Sequence, residues 1–355
     1  MKKTVQTAIV GVTGYAGAEL ARLLLHHPRL KGVAPVMAGR VEPRDLERGG
    51  VPLTEIHPQL GDNHTASALK MEPFSWELLT TLGVEVLFLA TPHEQSREWV
   101  PEALERGIRV IDLSGAWRLR EAANRAVYAF KDEGTEAAAK IQAQAAYGMP
   151  ELHRKQIAGA KLVANPGCYA TSVILAVKPL VAAGLVDLEH GIVADAKSGV
   201  SGAGKAPTAK THFMYAADNL SAYGVFGHRH TGELLEQIGV AGEQMTFTPH
   251  LLPIPRGILS TIYLRLKKAQ TRESVAAVYR EYFAASPMVR LFERFLPQIQ
   301  YAVRTNYADI GFELDASGRR AVVVSCLDNL LKGAAGQAVQ NLNVMEGWPE
   351  SEGLI

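Results

Sequence analysis

The stretch VQTAIVGVTGYAGAELARLLLHH (residues 5–27) constrains the fold more than any other part of the chain. A short apolar, β-branched run breaks at glycines and gives way at once to helical spacing that stops at Pro28. A second apolar run, GVAPVMAG (32–39), follows directly. Strand, turn, helix, strand in this order is a βαβ unit, and such units build parallel sheets. VEVLFLATP (84–92) is nearly continuous in apolar residues, as expected of a strand covered on both faces. EQSREWVPEALERG (94–107) reads as a helix ended by Gly107, and IRVIDLSG (108–115) as the next strand.

From about residue 166 the rhythm changes. YATSVILAVKPLVAAG is a helix, and GIVADAK (191–197) is a strand opening onto a Gly-rich loop. MTFTPHLL (245–252), LSTIYLRL (259–266), ADIGFEL (308–314) and RAVVVSC (320–326) are strands set far apart. One helix, RESVAAVYREYFAAS (272–286), lies among them, and the tail DNLLKGAAGQAVQNLNVM (328–345) is helical and rich in small residues. Several strands with few helices predict an α+β domain with a mixed or antiparallel sheet. The expected fold class is therefore α/β, a Rossmann-type parallel sheet followed by an α+β domain. A length of 355 residues agrees with two domains.

A formal net charge of +1 gives no global field for nucleic acid or an anionic membrane. No apolar stretch approaches the roughly 18 residues of a membrane span, and the N-terminus reaches glycines too soon for an export signal. Two cysteines far apart give neither a disulfide framework nor a zinc spacing, so no metal is expected and the reading is a cytoplasmic protein.

GVTGYAG places Gly11, Gly14 and Gly17, with Thr13 and Tyr15 between them, where the first strand turns into the first helix. Small residues let backbone approach a pyrophosphate, and the helix N-terminus offers free N–H groups and a positive dipole end. NAD recognition wants an acidic residue after the second strand, but the first charge there is Arg40. An arginine suits a 2′-phosphate and points to NADP; Glu42 leaves NAD open.

NPGCYAT (165–171) sets Cys168 at the start of a helix, where the dipole favours thiolate over thiol. Cys326, at the end of an apolar run, reads as a packed, inert side chain. A reactive thiol beside a nicotinamide site suggests thioester formation coupled to hydride transfer. GVTGYAGAEL, YGMPEL (147–152), NPGCYAT, SGVSGAGK (198–205), GHRHTGE (227–233) and DNLLKGAAGQAVQNLN occur together and in order. In that combination the chain resembles the N-acetyl-gamma-glutamyl-phosphate reductase family of arginine biosynthesis, over nearly its whole length.

The resemblance implies the phosphorylating aldehyde dehydrogenase mechanism shared with aspartate-semialdehyde dehydrogenase: an acyl-phosphate substrate, NADPH, and Cys168 as nucleophile. It implies an acid/base histidine in HRH, His228 in preference to His230. Arg229 and Glu233 then orient or bind substrate, with Asn165 of the cysteine motif. DLSGAWRL (112–119) resembles a family segment whose arginine contacts phosphate, here Arg118, although Trp117 stands where phenylalanine is usual. Ser198, Gly199, Gly202 and Gly204 are expected near the cofactor, and Asn329 at the nicotinamide. The tail thereby returns to the first domain, giving residues 1–165 plus 328–355 and a catalytic and oligomerisation domain over 166–327, in a homo-dimer or tetramer. Two rivals stay open here: the related aminoadipyl-phosphate reductase of lysine biosynthesis, and a non-catalytic NADPH sensor.

Overall fold

The computed structural model describes residues 4–61 and 69–355. The chain divides into two compact units, the first within residues 1–118, 131–165 and 335–355, the second within 119–130 and 166–334.

Among the described residues, the first unit is built on eight strands: β1 (Thr7–Val10), β2 (Val36–Gly39), β3 (Val51–Pro52), β4 (Lys70–Pro73), β5 (Val86–Leu89), β6 (Arg109–Asp112), β7 (Ala145–Tyr147) and β8 (Leu162–Ala164). They lie in the order β3-β4-β2-β1-β5-β6-β8-β7. All neighbours are parallel except β3, which runs antiparallel to β4. β1 and β5 are buried at every position, which is why both read as unbroken apolar runs. Ala8 pairs with Val36 on one side and Leu87 on the other, so β1 is where the strand order reverses. In such sheets the loop after that strand faces the ligand crevice. The helix Tyr15–Leu25 buries Gly17, Leu20, Ala21, Leu23 and Leu24.

The tail helix Gly336–Met345 is buried along its whole length, polar residues included. Gln337 Nε2 and Asn341 Nδ2 donate to the Gly148 carbonyl, and Asn343 Oδ1 accepts from His27 Nε2. These bonds satisfy amides that would otherwise cost free energy to bury. The helix begins later than the sequence predicts. The Asp328 carboxylate accepts from the N–H groups of Leu330, Leu331 and Arg304, and a π-type turn over Leu331–Ala335 precedes the regular helix.

The second unit carries β9 (Ile192–Gly199), β10 (Ser221–Ala222), β11 (Met245–Leu252), β12 (Ile258–Arg265), β13 (Val289–Phe292), β14 (Ala308–Leu314) and β15 (Arg320–Leu327). Their order is β10-β11-β9-β12-β15-β14-β13. β9 with β11 and β13 with β14 are parallel and the other pairs antiparallel, a mixed sheet as expected. Strict alternation of burial along β11 shows one covered face. The helix Cys168–Ala182 covers the sheet at β12 and β15: Ser172 Oγ lies 2.8 Å from Ser260 Oγ and 3.1 Å from Ser325 Oγ. Tyr279, from the helix Arg272–Tyr282, donates to the Ala176 carbonyl at 2.5 Å. Residues 119–130 belong to this unit because Glu236 accepts from Arg120 N, Glu121 N and Asn124 Nδ2. Among the described residues, no helix is long and apolar enough to cross a membrane.

Candidate active site

In the first unit the loop after β1 has the shape a pyrophosphate needs. Gly11 has φ +95°, and a Cβ there would lie 2.3 Å from the Ala90 carbonyl oxygen. A Cβ on Gly17 would lie 2.2 Å from the Gly11 carbonyl oxygen. Helix and strand can approach this closely only without side chains. Gly14 is the N-cap and supplies no side-chain cap, so the first helical N–H groups stay available to an anion. Thr13 and Tyr15 are exposed beside it. Buried His57 donates from Nε2 to the Val12 carbonyl at 2.7 Å and braces the loop from behind, a contact that no sequence motif announces. Arg40 stands fully out in solvent just after β2, 3.6 Å from Glu42. The open cradle and a solvent-exposed arginine after β2 fit a dinucleotide bearing a 2′-phosphate.

Arg118 is buried in the first unit. Its Nε donates to the Asn165 carbonyl at 2.7 Å and its guanidinium to the Leu113 carbonyl at 2.8 Å. Asn165 Oδ1 accepts from Asn341 Nδ2. Neighbouring Trp117 is buried, with Nε1 donating to Ser96 Oγ and the Arg97 guanidinium 4.1 Å over its ring.

In the second unit, Cys168 is the first residue of its helix, and the N-cap, Gly167, has no side chain to offer. The Gly167 N–H donates to Glu233, whose carboxylate is fully buried. Cys168, Tyr169, Ser198, Gly202, Tyr223, His228, Arg229 and His230 share one cavity of about 270 Å³. Thr208, Lys210 and Thr211 also line it, from a loop for which the sequence predicts no role. The available signal was a lone lysine between threonines just after the Gly-rich turn. Tyr169 donates to the His250 carbonyl at 2.6 Å, and burial pushes both its phenol and that of Tyr223 up, so both remain protonated.

The two histidines occupy different environments. The His228 ring meets the rings of Tyr169, Tyr223 and Phe247 edge-on, with centroids 5.4–5.7 Å away. Burial, assisted by the Arg229 charge, pulls its pKa down to about 4. Its Nδ1 accepts from the His230 backbone N–H at 3.1 Å. A neutral imidazole whose Nδ1 accepts must carry its proton on Nε2. His230 precedes the helix Thr231–Ile238 and sets its Nε2 edge against Gly167, where a Cβ would lie 2.3 Å from that nitrogen.

Ser198 and Gly199 end β9, and Gly202 and Gly204 lie in the loop beyond. Asn329 is buried beneath that loop, donating to Ser201 Oγ and accepting from Gly257 N. Cys326 is fully buried, and burial followed by the Asp309 carboxylate pushes its thiol up to about 12. Such a thiol is inert.

Residues 6–160 match the family model for the semialdehyde dehydrogenase NAD binding domain, and residues 168–329 that for the semialdehyde dehydrogenase dimerisation domain. The glycine cradle and the cysteine–histidine cavity thus stand on the framework of the semialdehyde dehydrogenases. Solved structures that share the fold include two aspartate semialdehyde dehydrogenases. Aspartate semialdehyde dehydrogenase II of Vibrio cholerae, complexed with ASA, superposes with a TM-score of 0.70 at 19% identity, covering 97% of this chain and 98% of that one. The Candida albicans aspartate semialdehyde dehydrogenase with NADP gives 0.67 at 17%, covering 96% and 98%. The chain is 41% identical over 353 residues to the N-acetyl-gamma-glutamyl-phosphate reductase of Methanocaldococcus jannaschii, covering 99% of this chain and 98% of the relative. It belongs to the N-acetyl-gamma-glutamyl-phosphate reductase family.

Proposed function

We propose that the chain reduces N-acetyl-glutamyl 5-phosphate to N-acetyl-glutamate 5-semialdehyde and phosphate, with NADPH, in arginine biosynthesis. One observation carries this reading: Cys168 opens a helix inside a cavity it shares with two histidines, in a chain matched from end to end by a reductase of that name. The full-length relatives give no support to the aminoadipyl reaction. A sensor would have no use for the thiol.

Cys168 attacks the acyl carbon and expels phosphate, leaving a thioester on sulfur. His230 takes the thiol proton, and its place against Gly167 supports that role. Gly11, Gly14 and Gly17 would hold the pyrophosphate of NADPH and Arg40 its 2′-phosphate, and the bound cofactor would supply the hydride that reduces the thioester. His230 returns the proton as the hemithioacetal collapses to aldehyde and frees the sulfur. His228 is a different tool. With Nδ1 occupied by a backbone N–H and its pKa near 4, it serves as a neutral Nε2–H donor to the substrate oxygen on which charge develops. Arg229, flanked by the two histidines, holds the leaving phosphate. Glu233 acts as a positioning residue through the Gly167 N–H, and Arg118 as one through the Asn165 carbonyl.

The second unit carries the dimerisation-domain match. The sheet face away from the Cys168 helix exposes Val193 and Tyr263, and pairing of two copies there is the arrangement it supports.

Phosphate-dependent NADP reduction by N-acetyl-glutamate semialdehyde tests the whole reading. Wild type is expected to need phosphate, and Cys168→Ser to be inactive. Turnover without phosphate, or faster turnover with the aminoadipate homologue, overturns it.

A further inference from the structure

Two cations, Lys210 and Arg229, line the cysteine cavity, and among the described residues no aspartate or glutamate lines it. Neither cation has an ion-pair partner among the described residues. The substrate proposed above carries two anionic groups, the phosphate on the reacting carbon and an α-carboxylate about 5 Å along the chain. Two unpaired cations meeting two anions suggest one partner each, and their placement says which.

Arg229 is fixed in sequence between His228 and His230 and so sits with the reacting groups. Lys210 sits in the exposed loop, while the cavity's inner wall is buried Tyr169. Its backbone is nevertheless ordered. It lies in the turn Ala209–Thr211, where the Thr208 N–H donates to Thr211 Oγ1 and the Thr211 N–H to Thr208 Oγ1. A held backbone with a free ammonium is what a rim contact to the unreactive end of a substrate requires.

We propose that Lys210 is a specificity-determining residue that binds the α-carboxylate of the substrate, leaving the phosphate to Arg229. The inference rests on the reduction reading above and adds to it the residue that recognises the amino-acid end. No transition-state charge develops on that carboxylate, so the contact is uniform binding and belongs in KM rather than kcat.

The test is steady-state kinetics in the phosphorylating direction, varying N-acetyl-glutamate semialdehyde and phosphate separately, with wild type, Lys210→Met and Lys210→Arg. A charge-assisted contact predicts that Lys210→Met raises the semialdehyde KM about 10- to 100-fold. The phosphate KM stays within about twofold and kcat within about threefold, and Lys210→Arg recovers most of the loss. The matching probe is 4-acetamidobutanal, which is the same aldehyde without its carboxylate. Wild type handles it as poorly as Lys210→Met does, and the gap between the two enzymes closes. A rise in the phosphate KM alone, no change in either KM, or an equal penalty on both aldehydes overturns the assignment. Wild type failing to show phosphate-dependent turnover removes the reduction reading itself, and this inference with it.

Discussion

His228 and His230 differ in a way that pH can expose. With a pKa of about 4, His228 is roughly 97% neutral even at pH 5.5, and protonating it at pH 7 costs about 4 kcal/mol. It therefore contributes almost nothing to any loss of activity between pH 7.5 and 5.5. A histidine of ordinary pKa, about 6.5, loses roughly tenfold in its neutral form over that span. Three variants separate donor from proton carrier: His228→Gln, which keeps an N–H near the Nε2 position, His228→Ala, which does not, and His230→Gln. Measured as kcat/KM for the semialdehyde across pH 5.5–8, His228→Gln should lose no more than about tenfold and keep the wild-type profile shape. His228→Ala should lose about 10²- to 10³-fold, the scale of a missing oxyanion donor. His230→Gln should lose about 10²- to 10⁴-fold and flatten any acid limb due to the proton carrier. If His228→Gln abolishes the acid limb while His230→Gln preserves it, the tautomer argument is wrong.

Gly167→Ala places a methyl carbon where the His230 Nε2 edge now lies, at 2.3 Å, while φ of −72° leaves the backbone unstrained. kcat should fall about 10²-fold with little change in Tm, and a large Tm loss with intact kcat would contradict it. His57→Phe strips the Val12 carbonyl of its buried donor. NADPH affinity by fluorescence titration should weaken about tenfold while the KM for phosphate is unmoved. Buried His27 holds its pKa below 6.5 through burial. Below about pH 6.5 the unfolded chain takes up a proton there that the folded chain resists, so stability falls with pH by at most about 1.4 kcal/mol per unit from this group, and above it the group contributes nothing. Wild type should therefore lose more Tm than His27→Gln between pH 7.5 and 5.5, and parallel losses would refute the linkage. Glu233→Ala orphans the buried Gly167 N–H and should cost about 1–3 kcal/mol of stability. Glu233→Gln, which keeps an acceptor, should restore most of it, and a changed semialdehyde KM at unchanged stability would return Glu233 to the substrate.

The parts of the fold legible in the sequence are those where one physical rule acts alone. MTFTPHLL alternates because one face of β11 is covered, and its bounds fall where the pattern puts them. The glycine loop is legible because close backbone approach at Gly11 and Gly17 admits no other residue. Elsewhere a distant partner overrides the local pattern. The tail reads as helical from residue 328, but Asp328 captures three backbone N–H groups and delays the regular helix to Gly336. β3, of two residues, and β4, of four, carry too little pattern to show a period. Residues 200–220 show no period at all, and only the fold brings Lys210 to the cysteine.

The division of work within HRH follows from a spacing of two residues. In a helix, residues two apart face different directions, and neither ring could reach the other's backbone N–H. Here His228 and His230 lie in the turn ahead of the helix Thr231–Ile238, and the His230 N–H, which no helical carbonyl claims, is taken by His228 Nδ1. That single bond fixes the tautomer of His228, and burial among Tyr169, Tyr223 and Phe247 keeps it neutral. The same N–H ties down the backbone that presents the His230 ring to Gly167. One donor that a helix start leaves over thus makes two identical side chains chemically unlike.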